Sequence, residues 1–492
     1  MTDSKAQTEP DDEKKDGKGR NWRDNIEAVT MAIIMAVMLK YFIIEAYKIP
    51  TGSMQPTLMG NKQLAIEDRI LVDKLSYHFR DPERFEVVIF KYPLDRSKNF
   101  IKRIVGMPGE KLRIDNGDLW TRKSDDEPWK ILRKPANVQA DMWKPLIGRS
   151  ARQQGWAANA AARKWQIADK EISARGSGVA RYPGKLDSIR DEYKDGYPRK
   201  MAAQMVARNG GNNDVGDLRV TGDVTALAGL EQVSVRFVEG DLTYRCIIPG
   251  PAADADAKTR IEAQQSDPNG PVSSRITVES DGIDFRLSAG STVRFDAHNL
   301  DDQLRLIVDG ELVCELEIGP AIGESHVALE IEGEGCEFKD LQVYRDIHYS
   351  TTRVKFDEWD IPEDSYVMLG DNTLDSSDGR EWQFSRFELT ADQLGEEVDD
   401  AKFGGSDKIV LRGSHRGNNE NPTQIPGAVP PQTWFRDEFG ELYHWERKNG
   451  FSPPREFEDA PFVPRHLITG RAVLVFWPIK RNLDVYRLKW IR

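Results

Sequence analysis

The pattern of polar and apolar positions divides the start of the chain into a tail and an apolar segment. Residues 1–24 are mainly polar and charged, a composition typical of disorder. Residues 25–46 are mostly apolar, and Lys40 lies near enough to their end for its amine to reach a membrane interface. A membrane span needs roughly 20 such residues, so the pattern predicts one transmembrane helix. A cleaved export signal is the alternative, although this stretch is long for one.

After the apolar segment the pattern changes to the alternation that is typical of β-strands. Turn residues separate four predicted strands in residues 47–120, which are Arg69–Leu75, Phe85–Lys91, Phe100–Val105 and Lys111–Ile114. The alternation weakens in residues 121–215, and this mixed segment contains a candidate helix at Ala157–Gln166. We therefore expect a β-sheet followed by an insertion or linker.

The strand pattern returns twice toward the end of the chain. Residues 348–388 contain a predicted strand at Ser365–Leu369, and residues 461–492 contain another that ends at Trp477. Between these parts, residues 389–460 are polar and acidic and contain several prolines, which indicates a second insertion. The two late segments are expected to complete the sheet that residues 47–120 begin.

Residues 216–347 carry the densest strand pattern of the chain. The predicted strands are Val233–Val238, Leu242–Ile248, Ser274–Glu279, Ile283–Leu287, Thr292–Phe295, Leu304–Val308, Leu312–Ile318, His326–Ile331 and Phe338–Tyr344. Short turns separate them, which is typical of a β-sandwich or jelly roll. The segment resembles the concanavalin-like sandwiches of lectins and laminin-type modules. No motif for sugar binding accompanies it, so a structural insert and a module that binds glycan or protein both stay open.

Composition excludes some classes of function. The net charge of the 492 residues is −12, which argues against a nucleic-acid partner because binding phosphates requires a basic face. The three cysteines, Cys246, Cys314 and Cys336, form no Cys-x-x-Cys pair, so we expect no structural zinc site. One disulfide or three free thiols are both compatible with the sequence.

The candidate chemistry lies in a turn and a strand. Ser53 is in the turn Ile49–Leu58, directly after the apolar segment, and Lys102 is in the predicted strand Phe100–Val105. A serine needs a base to remove its proton, and a lysine can serve only when it is neutral. The ordinary lysine pKa is about 10.4, and burial lowers it. Strand alternation places Lys102 between apolar side chains on one face and Arg103 on the opposite, solvated face.

Four segments, in order, resemble the sequence boxes of bacterial type I signal peptidases (leader peptidases). The matching segments are Pro50–Thr57, Asp68–Lys74, Phe100–Gly109 and Gly370–Arg380, the last of the GDN…SxDxR type. Thr373, Leu374 and Asp375 depart from the family's usual residues in the last box. The resemblance implies a mainly β catalytic domain after one transmembrane helix, here with an inserted, jelly-roll-like β-sandwich.

The resemblance also implies a role for each matching residue. Ser53 is the nucleophile, Lys102 is the general base, and Thr51 joins the Ser53 backbone N–H in the oxyanion hole. Ser376 orients the lysine amine through a hydrogen bond, and Ser377 stays open as the alternative. No metal or organic cofactor is implied.

Other residues of the last box are implied to support the site. Asp378 and Arg380 correspond to an ion pair across a tight turn. The supporting residues of the same box are Gly370, Asp371 and Asn372.

The implied function is a membrane-anchored serine endopeptidase that removes signal peptides from exported preproteins, cleaving after small residues through an acyl-enzyme. Its partners would be signal peptides and the lipid bilayer. Five basic residues precede the span closely, which are Lys14, Lys15, Lys18, Arg20 and Arg23. By the positive-inside rule, they predict a cytoplasmic N-terminus and a catalytic domain on the outer face of the bacterial inner membrane.

Two other functions are alternatives to this one. A tethered binding protein with a decayed peptidase region predicts loss of Ser53 or Lys102, and both are present. A Ser-Lys self-cleaving regulator needs a DNA-binding head, for which residues 1–24 are too short. The sequence therefore favours the peptidase.

Overall fold

The computed structural model is mainly β-structure. The structure describes residues 17–146, 155–159, 162–168, 170–183, 188–205, 211, 213–265, 275–351, 357–390, 408–414, 423–424, 432–446, 455–480 and 485–491. Most of the predicted disordered tail, residues 1–16, lies outside these ranges. Residues 17–24 of that tail are helical, so the prediction of disorder is wrong for this part.

An apolar helix leads directly into the first strand. The α-helix Gly17–Met38 continues as a π-helical turn, Leu39–Ile43, and the strand Ile44–Lys48 follows without a linker. Within the described ranges, Trp22–Ile43 is the helical stretch long and apolar enough to cross a membrane. The span therefore ends before the predicted residue 46, because Ile44–Lys48 is paired with Arg69–Asp73.

The first sheet assembles segments from both ends of the chain. Its strands, in spatial order, are Ile44–Lys48, Arg69–Asp73, Ile468–Trp477, Val87–Tyr92, Asp95–Gly106, Ser365–Leu369 and Phe462–Pro464, and Lys489–Trp490 also pairs with Ile468–Trp477. Apolar clusters cover both of its faces. The central strand Asp95–Gly106 consequently has buried side chains on both sides at its C-terminal half.

Smaller sheets extend this body. One has four strands, Glu358–Asp360, Lys111–Asp115, Asp118–Arg122 and Lys130–Ile131. The segment that was predicted as a polar insertion also contains β-structure. Its strands are Lys408–Ser414, Thr423–Gln424, Gln432–Arg436, Leu442–Glu446 and Arg455–Asp459, and Gln383–Thr390 lies between the first and the last of them.

Two stacked antiparallel sheets form the predicted sandwich. One contains Lys144–Pro145, Gln166–Ile167, Ile172–Arg175, Leu218–Ala226, Thr292–Leu300, Gln303–Val308, Glu311–Glu317 and Gly335–Arg345. The other contains Ala157–Ala158, Gly178–Tyr182, Leu230–Glu239, Leu242–Pro249, Arg260–Gln265, Arg275–Asp281 and Ser325–Gly333. A shared apolar core fills the space between them.

Several local predictions in this region were wrong. The two sheets include strands from residues 144–182, so the sandwich extends outside the predicted range 216–347. The candidate helix Ala157–Gln166 has a short strand at each end of its described part, and Ile283–Leu287 is not a strand. Pairing with the long neighbouring strands overrides the local helix preference. All three cysteines are buried free thiols.

The insertion also packs against the segment that follows the Ser53 turn. A short helix, Arg199–Ala202, lies in the segment that leads into the longer strands. Its Met201 and the preceding Tyr197 belong to one apolar cluster with Met59 and Ile66, which follow the Ser53 turn. The insertion is therefore packed beside the candidate site.

Candidate active site

The backbone around Ser53 is fixed by apolar anchors. Ile49, Met54 and Leu58 are buried in the cluster beneath the first sheet. The Leu58 N–H donates to the Met54 carbonyl at 2.8 Å, and the Gln55 N–H donates to the Gly52 carbonyl at 3.2 Å. Ser53 itself is half-buried, so its hydroxyl is held at the surface of a rigid turn.

Lys102 meets Ser53 from the central strand. Lys102 lies opposite Val88 of the neighbouring strand, is 3% exposed, and has its Nζ 2.8 Å from Ser53 Oγ. Burial lowers the pKa of Lys102 to about 8, although the negative charges of Asp378 and Asp371 oppose this effect. The amine is therefore both close to the hydroxyl and much easier to deprotonate than an ordinary lysine.

Arg103 differs from its prediction. It was expected to face solvent, but its side chain is 0% exposed and pairs with Asp371 through Nε at 2.9 Å and Nη2 at 2.8 Å. Its Nη1 also donates to the Phe85 carbonyl. The reason is that a second apolar layer covers the other face of this strand, so the guanidinium can be buried only with a carboxylate partner.

The loop Gly370–Arg380 clamps the Ser53 turn. The Asn372 N–H donates to the Ser53 carbonyl at 3.1 Å, and Asn372 Nδ2 donates to the Gly52 carbonyl at 3.1 Å. A Cβ at Gly370 would lie 2.1 Å from Ser376 Oγ and 2.5 Å from the Ser53 carbonyl oxygen. Only glycine therefore lets this loop approach the turn so closely.

The predicted ion pair in this loop forms in a buried setting. Arg380 Nε and Nη2 lie 2.8 Å and 2.9 Å from the two carboxylate oxygens of Asp378. The Gly370 N–H donates to the same carboxylate, and Arg380 Nη1 donates to the Ser350 carbonyl. Burial alone would raise the pKa of Asp378, but Arg380 holds it below its usual range.

The remaining predicted residues lie close by without completing their predicted contacts. Ser376 is 7% exposed and its Oγ has no hydrogen-bond partner in the described structure, so its predicted bond to Lys102 is not formed here. Ser377 is half-buried. Thr51 is exposed, two residues before Ser53. The orienting and oxyanion roles therefore stay predictions.

A second buried lysine was not found by sequence reasoning. Lys144, from the insertion, is 4% exposed, and its Nζ donates to the Asp371 carbonyl at 3.0 Å. Burial and the nearby Arg345 guanidinium lower its pKa to about 7. The ion pair of Arg345 with Asp195 lies in the insertion as well. Lys144 thus connects the insertion to the loop Gly370–Arg380, which contacts the Ser53 turn.

Solved structures show weak similarity to part of this chain. A carbohydrate-binding module (CBM66) from Bacillus subtilis matches at 10% identity with a TM-score of 0.25, over 39% of this chain and 96% of its own. A protein with a galectin-like fold from Bacillus subtilis matches at 12% identity with a TM-score of 0.27, over 42% of this chain and 100% of its own. Likeness of this degree carries no conclusion about a ligand.

Curated relatives and a family model each match part of the chain. The probable signal peptidase I-2 of Synechocystis is 39% identical over 122 residues, which are 23% of this chain and 52% of the relative. Signal peptidase I of Pseudomonas fluorescens is 39% identical over 130 residues, 24% of this chain and 44% of the relative. The chain thus spans about half the length of these relatives. Residues 22–159 match the family model for signal peptidase, peptidase S26. This region is therefore similar to type I signal peptidases.

Proposed function

We propose that the protein is a membrane-anchored serine endopeptidase that removes signal peptides from exported preproteins. The observation that carries this proposal is the 2.8 Å separation between Lys102 Nζ and Ser53 Oγ, with the lysine buried. This distance is within the hydrogen-bond reach that a general base requires. The family model for signal peptidase matches residues 22–159, which include both groups, and two relatives of this chain are named as signal peptidases.

The chemistry follows from the two groups. Neutral Lys102 takes the Ser53 proton as the oxygen attacks the scissile carbonyl, and the protonated amine then supplies a proton to the departing amine. An acyl-enzyme on Ser53 remains. The lysine, neutral again, removes a proton from the water that releases the acyl group. Because the pKa of Lys102 is about 8, the amine can exchange protons in both steps near neutral pH.

Two further groups are assigned to this site. The Ser53 N–H and the Thr51 hydroxyl would donate to the oxyanion, where each donor can be worth about 2.7–4 kcal/mol. Ser376 would orient the lysine amine, since its buried Oγ lies beside Gly370 and close to Ser53. The hydrogen bond from Asn372 to the Gly52 carbonyl and the ion pair Asp378–Arg380 fix the loop Gly370–Arg380 beside the Ser53 turn.

The substrate is expected to be an extended peptide segment with small side chains before the cut. A segment of this kind can pair with a sheet edge, and shallow apolar pockets then admit only small residues. The helix Trp22–Ile43 would keep the site near the lipid surface from which a signal peptide emerges. Exposed aromatic residues beside the first sheet, Trp477 and Trp490, support contact with that surface.

We further place the protein in the bacterial inner membrane with its N-terminus in the cytoplasm. The catalytic unit would combine residues 47–120, 348–388 and 461–492, with the sandwich inserted between the first two. Protease protection of sealed vesicles tests the orientation. Externally added protease should digest the large domain in right-side-out vesicles and spare it in inverted ones, and the opposite result would reverse the assignment.

The decisive experiment measures cleavage of a preprotein by the full chain in detergent. Ser53→Ala and Lys102→Ala should each abolish turnover, a loss of about 10⁴-fold or more. Matched controls are Ser124→Ala, an exposed serine, and Lys98→Ala, a lysine of the same strand that is 46% exposed. Both controls should retain activity. Turnover by Lys102→Ala with an unchanged circular dichroism spectrum would refute the role of the lysine.

A further inference from the structure

A second cluster of buried charge lies where the sandwich meets the four-stranded sheet. Asp118, Asp217 and Asp301 each offer a carboxylate oxygen within 4.8 Å of the others. Asp118 begins the strand Asp118–Arg122 of the four-stranded sheet. Asp217 directly precedes one sandwich strand and Asp301 directly follows another. The three carboxylates therefore converge from segments that are far apart in the chain.

The described surroundings do not neutralise these carboxylates. Lys134 is the buried cation at the cluster, and its Nζ lies 3.4 Å from Asp301 Oδ1 and 2.8 Å from Asp346 Oδ2. Lys134 is thus shared with a fourth carboxylate. The nearby Arg133 donates to the Asp301 backbone carbonyl, while its guanidinium pairs with Glu317. One ammonium group among four carboxylates leaves a net negative charge.

One of the buried oxygens lacks a partner. The Asp301 side chain is 3% exposed, and its Oδ2 accepts no hydrogen bond in the described structure, although Oδ1 of the same group faces Lys134. A buried carboxylate oxygen without a donor is costly and rare in folded proteins. Since the other two carboxylates lie beside it, a cation is the chemical partner that would satisfy all three.

There is room for such a partner. A cavity of about 280 Å³ is lined by Asp118 and Asp217, and also by Glu239, Asp302 and the turn residues Asn116 and Gly117. An ion could therefore keep water ligands as well as carboxylate oxygens. Burial and the neighbouring carboxylates raise the pKa of both Asp118 and Asp217, so protonation is the alternative way to relieve the repulsion.

We propose that Asp118, Asp217 and Asp301 bind a divalent cation of the Ca²⁺ type that joins the sandwich to the four-stranded sheet. The ligands are all oxygen atoms, which favours a hard cation over zinc or copper. Calcium ligands lie about 2.3–2.6 Å from the ion, so two opposite ligands are separated by about 4.6–5.2 Å. The spacing within 4.8 Å suits that geometry. Calcium also tolerates the irregular arrangement that three distant segments produce.

The test uses the full chain in detergent after treatment with EDTA and dialysis. Calcium chloride is titrated by isothermal calorimetry, with magnesium chloride in parallel, and thermal unfolding is followed with and without each salt. We expect saturable calcium binding and a higher melting temperature. At 100 times Kd, the folding equilibrium should shift about 100-fold toward the native state. Absence of binding at millimolar calcium would overturn the proposal.

Variants separate this site from general electrostatic effects. Asp118→Asn/Asp217→Asn should abolish the calcium response, yet it should raise the melting temperature of the metal-free protein because it removes mutual repulsion. Asp284→Asn, an exposed acid of the sandwich region, is the matched control and should bind calcium as the wild type does. Equal calcium affinity of the double variant and the wild type would overturn the assignment of these residues.

Discussion

The candidate active site and the acidic cluster differ in how the charges of their buried carboxylates are compensated. Around Ser53, each buried aspartate has its own arginine, Asp371 with Arg103 and Asp378 with Arg380. In the acidic cluster of Asp118, Asp217 and Asp301, Lys134 pairs with Asp301 and also with a fourth aspartate, Asp346. Matched pairs form a rigid scaffold around chemistry that other groups perform, whereas unmatched carboxylates are poised to bind a cation.

The pKa values of buried aspartates differ between the two regions in the same way. Burial acts on Asp378 as it does on Asp118, yet Arg380 holds the pKa of Asp378 below its usual range. Without an arginine, burial and neighbouring carboxylates raise the pKa of Asp118 and Asp217. Local charge compensation, rather than burial alone, therefore decides the protonation state.

The largest expected effect comes from breaking a matched pair. Arg103→Met leaves Asp371 buried without its guanidinium, so the free energy of unfolding should fall by about 3–5 kcal/mol. Denaturant unfolding of the purified variants measures this loss. Arg103→Met/Asp371→Leu should recover much of it, and Arg305→Met, which removes an exposed partner of Glu315, should change little. An Arg103→Met protein as stable as the wild type would contradict the view that these pairs are a scaffold.

The second largest expected effect is the dependence of the cleavage rate on pH. The proposed mechanism requires neutral Lys102, and burial lowers the pKa of this lysine to about 8. The value of kcat/KM should therefore rise about tenfold per pH unit below pH 8 and level off above it. Preprotein cleavage between pH 6 and pH 9 measures this profile. A rate that stays flat between pH 6 and pH 8 would exclude a lysine with this pKa as the base.

A smaller effect should follow from cutting the link between the insertion and the active site. Lys144→Met keeps the apolar stem but removes the donor to the Asp371 carbonyl, so kcat should fall about tenfold, corresponding to about 1.4 kcal/mol. Lys170→Met, an exposed lysine of the insertion, is the control. Steady-state kinetics measure kcat. A lower kcat for Lys144→Met with an unchanged melting temperature would identify Lys144 as a positioning residue. Unaltered kcat in Lys144→Met would mean that this hydrogen bond contributes nothing to the reaction.

The smallest effect is a change in how stability depends on pH. Asp118 and Asp217 have raised pKa values in the folded protein, so they stabilise the metal-free fold at acid pH, and this contribution is lost as pH rises through the folded values. Asp378, with its lowered pKa, contributes in the opposite sense and is lost as pH falls. Melting temperatures of metal-free wild type and Asp118→Asn/Asp217→Asn, compared from pH 4 to pH 8, should converge toward acid pH and diverge as pH rises, because only the wild type gains repelling charges. Parallel curves would show that the cluster is not protonated.

The sequence was sufficient to predict those parts of the candidate site that lie within a single short motif. The turn Ile49–Leu58 and the strand around Lys102 were predicted, and the strand was placed with Lys102 on a buried face. Arg103 was assigned to solvent because alternation within one strand cannot show that a second apolar layer covers the opposite face. The packing of both faces decides that its charge must be paired.

Local sequence patterns were sufficient to predict an apolar helix, alternating strands, and a serine and a lysine in recognisable settings. Only the tertiary structure brought Lys144 to the Asp371 carbonyl and drew Asp118, Asp217 and Asp301 together. The physical reason is distance along the chain. Local patterns fix the direction of each side chain, but electrostatic contacts between residues that are far apart in the chain depend on how the sheets stack.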